Sequence, residues 1–121
     1  MDNRLIKNFE KRKFDRKQLY YYLKVNYDGT GSLAGYLGDI STKGLMLFSK
    51  ESVELKKVFK FRIDLDKEFG MKDNFVVDAE SLWCEKDVNP EFFLIGFKFI
   101  GLDQAGSDIV QYLIKKYGFT E

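Results

Sequence analysis

Short segments in which apolar and polar side chains alternate with a period of two recur along this chain, and they constrain its fold most strongly. This period is typical of β-strands that expose one face and bury the other. It predicts strands at 18–27, 32–41, 45–49, 57–65, 74–86 and 92–102. The sequence Asp-Gly-Thr-Gly at 28–31 predicts a hairpin reversal between the first two, since these residues tolerate positive φ angles.

The C-terminal residues 103–118 have a different period, which predicts an α-helix with one apolar stripe. The stripe comprises Ile109, Val110, Leu113, Ile114 and Tyr117. Six short strands followed by one helix indicate a mainly all-β fold, a six-stranded antiparallel β-barrel with a C-terminal α-helix. Closure of the barrel removes the strand edges that an open sheet of this size would leave exposed.

The first residues differ from the rest in charge. Residues 1–17 hold seven Lys or Arg and three acidic residues, although the formal charge of the whole chain is only +1. We therefore predict a flexible basic N-terminal arm at 1–16 and a barrel with its helix at 17–121, together one domain. The low total charge argues against a protein that coats a nucleic-acid polymer. The excess of positive charge within residues 1–17 instead suggests a site for a smaller anion.

Several kinds of chemistry are excluded by composition. The chain has no histidine, the usual general base and the commonest metal ligand. Its single cysteine, Cys84, follows Trp83 in a strand segment and is predicted to be a buried structural thiol. No apolar run suits a secretion signal or a membrane span. We expect no enzyme activity, metal, cofactor or membrane insertion, and a cytoplasmic location.

Two motifs contain side chains suited to a guanine nucleotide. Arg12 and Arg16 stand four residues apart where the arm meets the first strand, and guanidinium groups pair bidentately with phosphate or with a guanine edge. Asp39, Ser41 and Gly44 follow the second strand. Asp39 can accept from guanine N–H groups, Ser41 can donate, and glycine permits a sharp turn or a close approach. Strand alternation predicts that Asp39 and Ser41 point to the same side.

The order of these motifs, RxxxR before the first strand and DxSxxG after the second, resembles the PilZ domain family. Trp83 in the fifth strand and Gly96 in the segment LIGFKF extend the resemblance over nearly the whole chain. It implies a bacterial receptor for cyclic di-GMP that signals through a separate protein partner in motility, biofilm or exopolysaccharide control. The resemblance implies that the ligand is bound by Arg12, Arg16, Asp39, Ser41 and Gly44, with Lys11 as an additional contact that influences whether one or two ligands bind.

Two other functions are consistent with the same residues. A barrel with a basic arm and exposed aromatic side chains could hold single-stranded nucleic acid, with affinity that falls steeply as salt rises. A PilZ-like adaptor could instead act through protein contacts alone. Because such an adaptor needs neither motif, the complete RxxxR and DxSxxG favour the nucleotide receptor.

Overall fold

The computed structural model describes residues 23–65 and 74–117 of the chain. These residues form six strands and one helix: β1 Lys24–Tyr27, β2 Leu33–Ile40, β3 Gly44–Ser49, β4 Val58–Asp64, β5 Asn74–Lys86, β6 Phe93–Ile100 and α1 Gln104–Tyr117. Five strands fall within the predicted segments, and β3 begins one residue earlier than predicted. The part of the predicted first strand before Leu23 lies outside the described residues, as does the predicted arm.

The six strands form a closed antiparallel barrel in the order β1, β2, β3, β6, β5, β4. The ring closes where β1 pairs with β4, with Asn26 opposite Arg62 and Tyr27 opposite Phe61. The first hairpin turns where predicted, since Tyr27 N donates to Ser32 O at 2.8 Å and Gly31 has a φ of 73°. The predicted fold class is confirmed.

One hydrophobic cluster fills the barrel, and strand alternation produces it. In β4, Phe61 and Ile63 are fully buried while Phe59 and Leu65 pack against them, as the alternation predicts. We call this group the interior cluster: Val25, Ala34, Leu37, Ile40, Leu45, Leu47, Phe61, Ile63, Phe75, Val77, Ala79, Ile95, Phe97, Ile109, Val110 and Leu113. Full burial of one such large side chain stabilises a fold by about 1.5–3 kcal/mol, so this cluster is the main source of stability.

The helix α1 belongs to the same core. Ile109, Val110 and Leu113 are buried in the interior cluster, which confirms most of the predicted apolar stripe. Tyr117 was predicted to belong to it, but it lies in the last turn and is 37% exposed. Asp103 caps the start of the helix, because its Oδ1 accepts from Gly106 N at 2.7 Å.

A second cluster lies on the outward side of β2, β3, β5 and β6. This outer cluster comprises Met46, Phe48, Trp83, Phe92 and Leu94, with Tyr36 packed against it. Its β3 members alternate with Leu45 and Leu47 of the interior cluster, so they point away from the barrel axis. The neighbouring Cys84 is half-buried against the interior cluster, less enclosed than the predicted buried thiol.

Trp83 and Gly96 form one contact within the outer cluster. They are opposite each other in the β5–β6 register, at a bulge between Ser81 and Trp83. A Cβ atom added at Gly96 would lie 2.1 Å from Trp83 Nε1, so only glycine leaves room for the indole. The tryptophan and the glycine that support the family resemblance are therefore partners in packing.

Candidate functional site

The residues from Asp39 to Gly44, here called the Asp39–Gly44 turn, comprise the end of β2, the connection at 41–43 and the first residue of β3. Strand β2 ends at Ile40, and Ser41 N donates to Gly44 O at 2.8 Å to close the turn. Ser41 Oγ accepts from Lys43 N at 3.1 Å, which is a local hydrogen bond typical of serine in turns. Ser41 thus belongs to the turn and not to the strand, so strand alternation does not determine the side on which it lies.

Asp39 occupies an irregular position in β2. The register between β2 and β3 shifts between Leu37 and Asp39, which places Asp39 opposite Met46 of the outer cluster. The extra residue of this bulge is Gly38, where a Cβ would lie 2.7 Å from the Phe48 ring. Asp39 is only 9% exposed, and its Oδ1 accepts from Ile40 N at 2.9 Å. The carboxylate is therefore held in place at the outer face of the barrel.

At Gly44, the backbone of β3 lies close to that of β6. A Cβ added there would lie 2.0 Å from Phe97 O and 3.0 Å from Lys98 Cα. The adjoining turn is bonded to the same strand, because Phe99 N donates to Lys43 O at 2.9 Å. Glycine at this position is thus required by the pairing of β3 with β6, whatever its role toward a ligand.

The described chain enters β1 at the same end of the barrel as this turn. Lys24 is opposite Tyr36, and Leu37 N donates to Leu23 O at 2.8 Å. Because β1 and β2 are antiparallel, β1 begins at the end where β2 leaves for the Asp39–Gly44 turn. The residue bonded to Leu23, Leu37, precedes Asp39 by only two positions, so the described chain begins near this turn.

The predicted site residues therefore divide into two groups. Asp39, Ser41 and Gly44 lie together in one short stretch of the described structure. Lys11, Arg12 and Arg16 lie outside the described residues.

Lys98 is a charged residue of this region that the sequence analysis did not select. It is outward-facing and exposed on β6, between Phe97 and Phe99 of the core, and it is opposite Gly44 in the sheet register. Its Nζ lies 3.3 Å from Glu80 Oε1 on β5. Alternation in LIGFKF indicates that the lysine points outward, but its position beside Gly44 depends on pairing between strands far apart in sequence.

Two further properties concern the described part of the chain alone. Residues 23–65 and 74–117 contain no helix with the length and apolar character needed to cross a bilayer. Within the same ranges, no group of three or more Cys, Asp or Glu side chains is placed to hold a metal ion.

A comparison with protein-family models identifies the class of protein that this fold and site define. Residues 10–115 match the model of the PilZ domain. The match covers most of the chain, and the chain therefore belongs to the PilZ domain family. This is a family of receptors and adaptors, not of enzymes.

Among solved structures, the fold is similar to that of the Bacillus subtilis inhibitor of motility, MotI/DgrA. The two share 15% sequence identity with a TM-score of 0.63, over 86% of this chain and 52% of the other. This chain thus spans about half the length of that protein, and at this identity the likeness concerns the fold. No curated protein sequence matches the chain.

Proposed function

We propose that the chain is a receptor for cyclic di-GMP, which it binds between the RxxxR motif and the Asp39–Gly44 turn. The observation that carries the proposal is the common end of the barrel at which β1 begins and β2 leaves for that turn. Arg16 precedes Leu23 by seven residues, a stretch that can span up to about 25 Å. The guanidinium groups can therefore reach the turn without any rearrangement of the barrel.

The side chains match the ligand in chemistry as well as in position. Cyclic di-GMP presents two guanine edges and two phosphates. Arg12 and Arg16 offer planar donors for a phosphate or for a guanine edge. The Asp39 carboxylate, held at the outer face, accepts from guanine N–H groups, and Ser41 donates to a nearby acceptor. In the same proposal Lys11 contacts a second, stacked ligand.

The expected affinity follows from opposing contributions. Each good bidentate contact to a base contributes about 1–3 kcal/mol. Each backbone residue that becomes ordered on binding costs about 1–2 kcal/mol. The cost of ordering offsets much of the gain from the contacts, so binding should be moderate and far from picomolar. We therefore expect a dissociation constant near micromolar, which corresponds to about −8 kcal/mol. Such an affinity suits reversible sensing.

The output in this proposal is a change of the N-terminal arm, read by a separate protein partner in the cytoplasm. Binding would convert a mobile arm into one fixed over the ligand, an order–disorder switch of the kind used by other signalling proteins. MotI/DgrA, which has a similar fold, is an inhibitor of motility. Control of motility is accordingly one process that this chain could serve, alongside biofilm formation and exopolysaccharide export.

Hydrogen exchange tests the switch directly. Saturating cyclic di-GMP should slow amide exchange of residues 8–16 by at least tenfold, because ordering the arm over the ligand protects its amides. The strands β4 and β5 serve as an internal control and should exchange at the same rate in both samples. Equal exchange of residues 8–16 with and without bound ligand would contradict the switch.

A further inference from the structure

Among the residues that the structure describes, Lys98 and Lys60 form similar ion pairs on the outside of the barrel. Lys98 Nζ lies 3.3 Å from Glu80 Oε1, and Lys60 Nζ lies 3.8 Å from Asp78 Oδ1. Both pairs join adjacent strands at directly opposed positions. The two lysine side chains are also similarly exposed, at 53% and 57%. The pairs differ in the carboxylate, which is 26% exposed in Glu80 and 44% exposed in Asp78, and in what lies beside the lysine.

Of these two lysines, only Lys98 lies beside the Asp39–Gly44 turn. It is opposite Gly44 in the β3–β6 register, whereas Lys60 lies on β4, which β5 and β6 separate from β3. Gly44 has no side chain, and its backbone comes close to Lys98 Cα. The hydrogen bond from Phe99 N to Lys43 O fixes the turn against this part of β6. The ammonium group can therefore reach a molecule that rests on the turn.

The ion pair with Glu80 leaves the ammonium group able to change partners. The lysine side of the pair is 53% exposed, so water and salt screen the pair in part and it contributes little to stability. A lysine ammonium is a compact charge with three rotatable donors, and it binds phosphate oxygens as a point charge. A doubly charged ligand that places one phosphate near Gly44 would attract Lys98 more strongly than a single screened carboxylate does.

We propose that Lys98 is a further ligand-binding residue. On binding, its ammonium group leaves Glu80 and donates a hydrogen bond to a phosphate of the cyclic dinucleotide. This inference rests on the proposed function. It assigns one phosphate of the ligand to the outward face of β6, beside Gly44. Glu80 then holds the lysine in the absence of ligand and competes with the ligand for it.

The test is calorimetric titration of the full-length chain with cyclic di-GMP, using matched variants of the two ion pairs. Lys98→Met should weaken binding about tenfold or more, as expected for a lost charge-assisted hydrogen bond. Lys60→Met should change affinity less than twofold. Lys98→Arg keeps the charge and should restore most of the affinity. Thermal melting of the Lys98→Met and Lys60→Met variants should be similar, because each replaces a lysine that is more than half exposed.

The acidic partners provide a second readout that a purely structural ion pair would not give. Glu80→Gln should strengthen binding by up to about fivefold, because the ligand no longer competes with a carboxylate for Lys98. Asp78→Asn should leave affinity unchanged. If the wild-type chain binds and Lys98→Met binds as tightly as Lys60→Met, the role of Lys98 is overturned while the proposed function stands. If the wild-type chain does not bind cyclic di-GMP, both are overturned.

Discussion

Replacing Gly44 by alanine is expected to lower the free energy of unfolding by about 2–3 kcal/mol, the upper part of the range for overpacking a well-packed site. The added Cβ would meet the carbonyl oxygen of Phe97 at 2.0 Å. A backbone atom cannot rotate away as a flexible side chain can, so β3 and β6 must separate. Phe97 belongs to the interior cluster, where its ring lies edge-on to Phe61 at 4.9 Å, and that packing would be disturbed as well.

Urea denaturation of Gly44→Ala measures this effect, and Gly29→Ala is its matched control. A Cβ at Gly29, in the first hairpin, meets no atom within 4 Å. That variant should differ from the wild type by less than about 0.5 kcal/mol. Equal stability of the two variants would show that β3 and β6 do not approach as closely as described.

The Gly44→Ala result also bears on whether the glycine of the DxSxxG motif has a structural or a ligand-binding role. Loss of ligand binding in Gly44→Ala alone would not identify a ligand contact, since the turn and β6 shift together. Substitutions at Asp39 and at the arginines are the informative ones for binding. Glycine at position 44 is needed for the pairing of β3 with β6, whether or not it also contacts a ligand.

Alanine in place of Arg12 or of Arg16 is expected to weaken cyclic di-GMP binding at least tenfold. Each change removes a planar, charged donor pair, and a good bidentate contact of this kind is worth about 1–3 kcal/mol. The melting temperature should stay nearly unchanged, because the hydrophobic interior cluster formed by the strands and α1 is the main source of stability. Titration calorimetry gives the affinity, and differential scanning calorimetry gives the melting temperature.

A third arginine of the same segment provides the control for these variants. Arg4 lies outside the RxxxR motif, so Arg4→Ala removes the same charge without removing a proposed contact. The affinity of the Arg4→Ala variant for cyclic di-GMP should stay within about twofold of the wild type at moderate salt, where distant exposed charges are screened. Wild-type affinity in both Arg12→Ala and Arg16→Ala would remove the arginine pair from the site.

The barrel could be predicted from the sequence because its determinants are local. Alternation in β4 and β5 selects the buried side chains residue by residue, and the change of period after Leu102 identifies α1. Tyr117 shows the limit of that argument. It follows the helical spacing, but in the last turn it extends past the residues that pack on the barrel.

The site could be predicted only in part, because its geometry depends on pairing between distant segments. The bulge at Gly38 resets the alternation of β2 just before Asp39, and the sequence offers only a glycine as its signal. The close approach at Gly44 and the position of Lys98 both follow from the β3–β6 register. That register joins residues about fifty positions apart, and local periodicity contains no information about it.

Titration of the wild-type chain with cyclic di-GMP tests the central claim most directly, with a longer single-stranded oligonucleotide as the comparison. We predict saturable binding of cyclic di-GMP near micromolar, with one or two ligands per chain, and much weaker binding of the oligonucleotide at moderate salt. Absence of binding heat with cyclic di-GMP, together with oligonucleotide binding that strengthens with length and falls steeply with salt, would contradict the account.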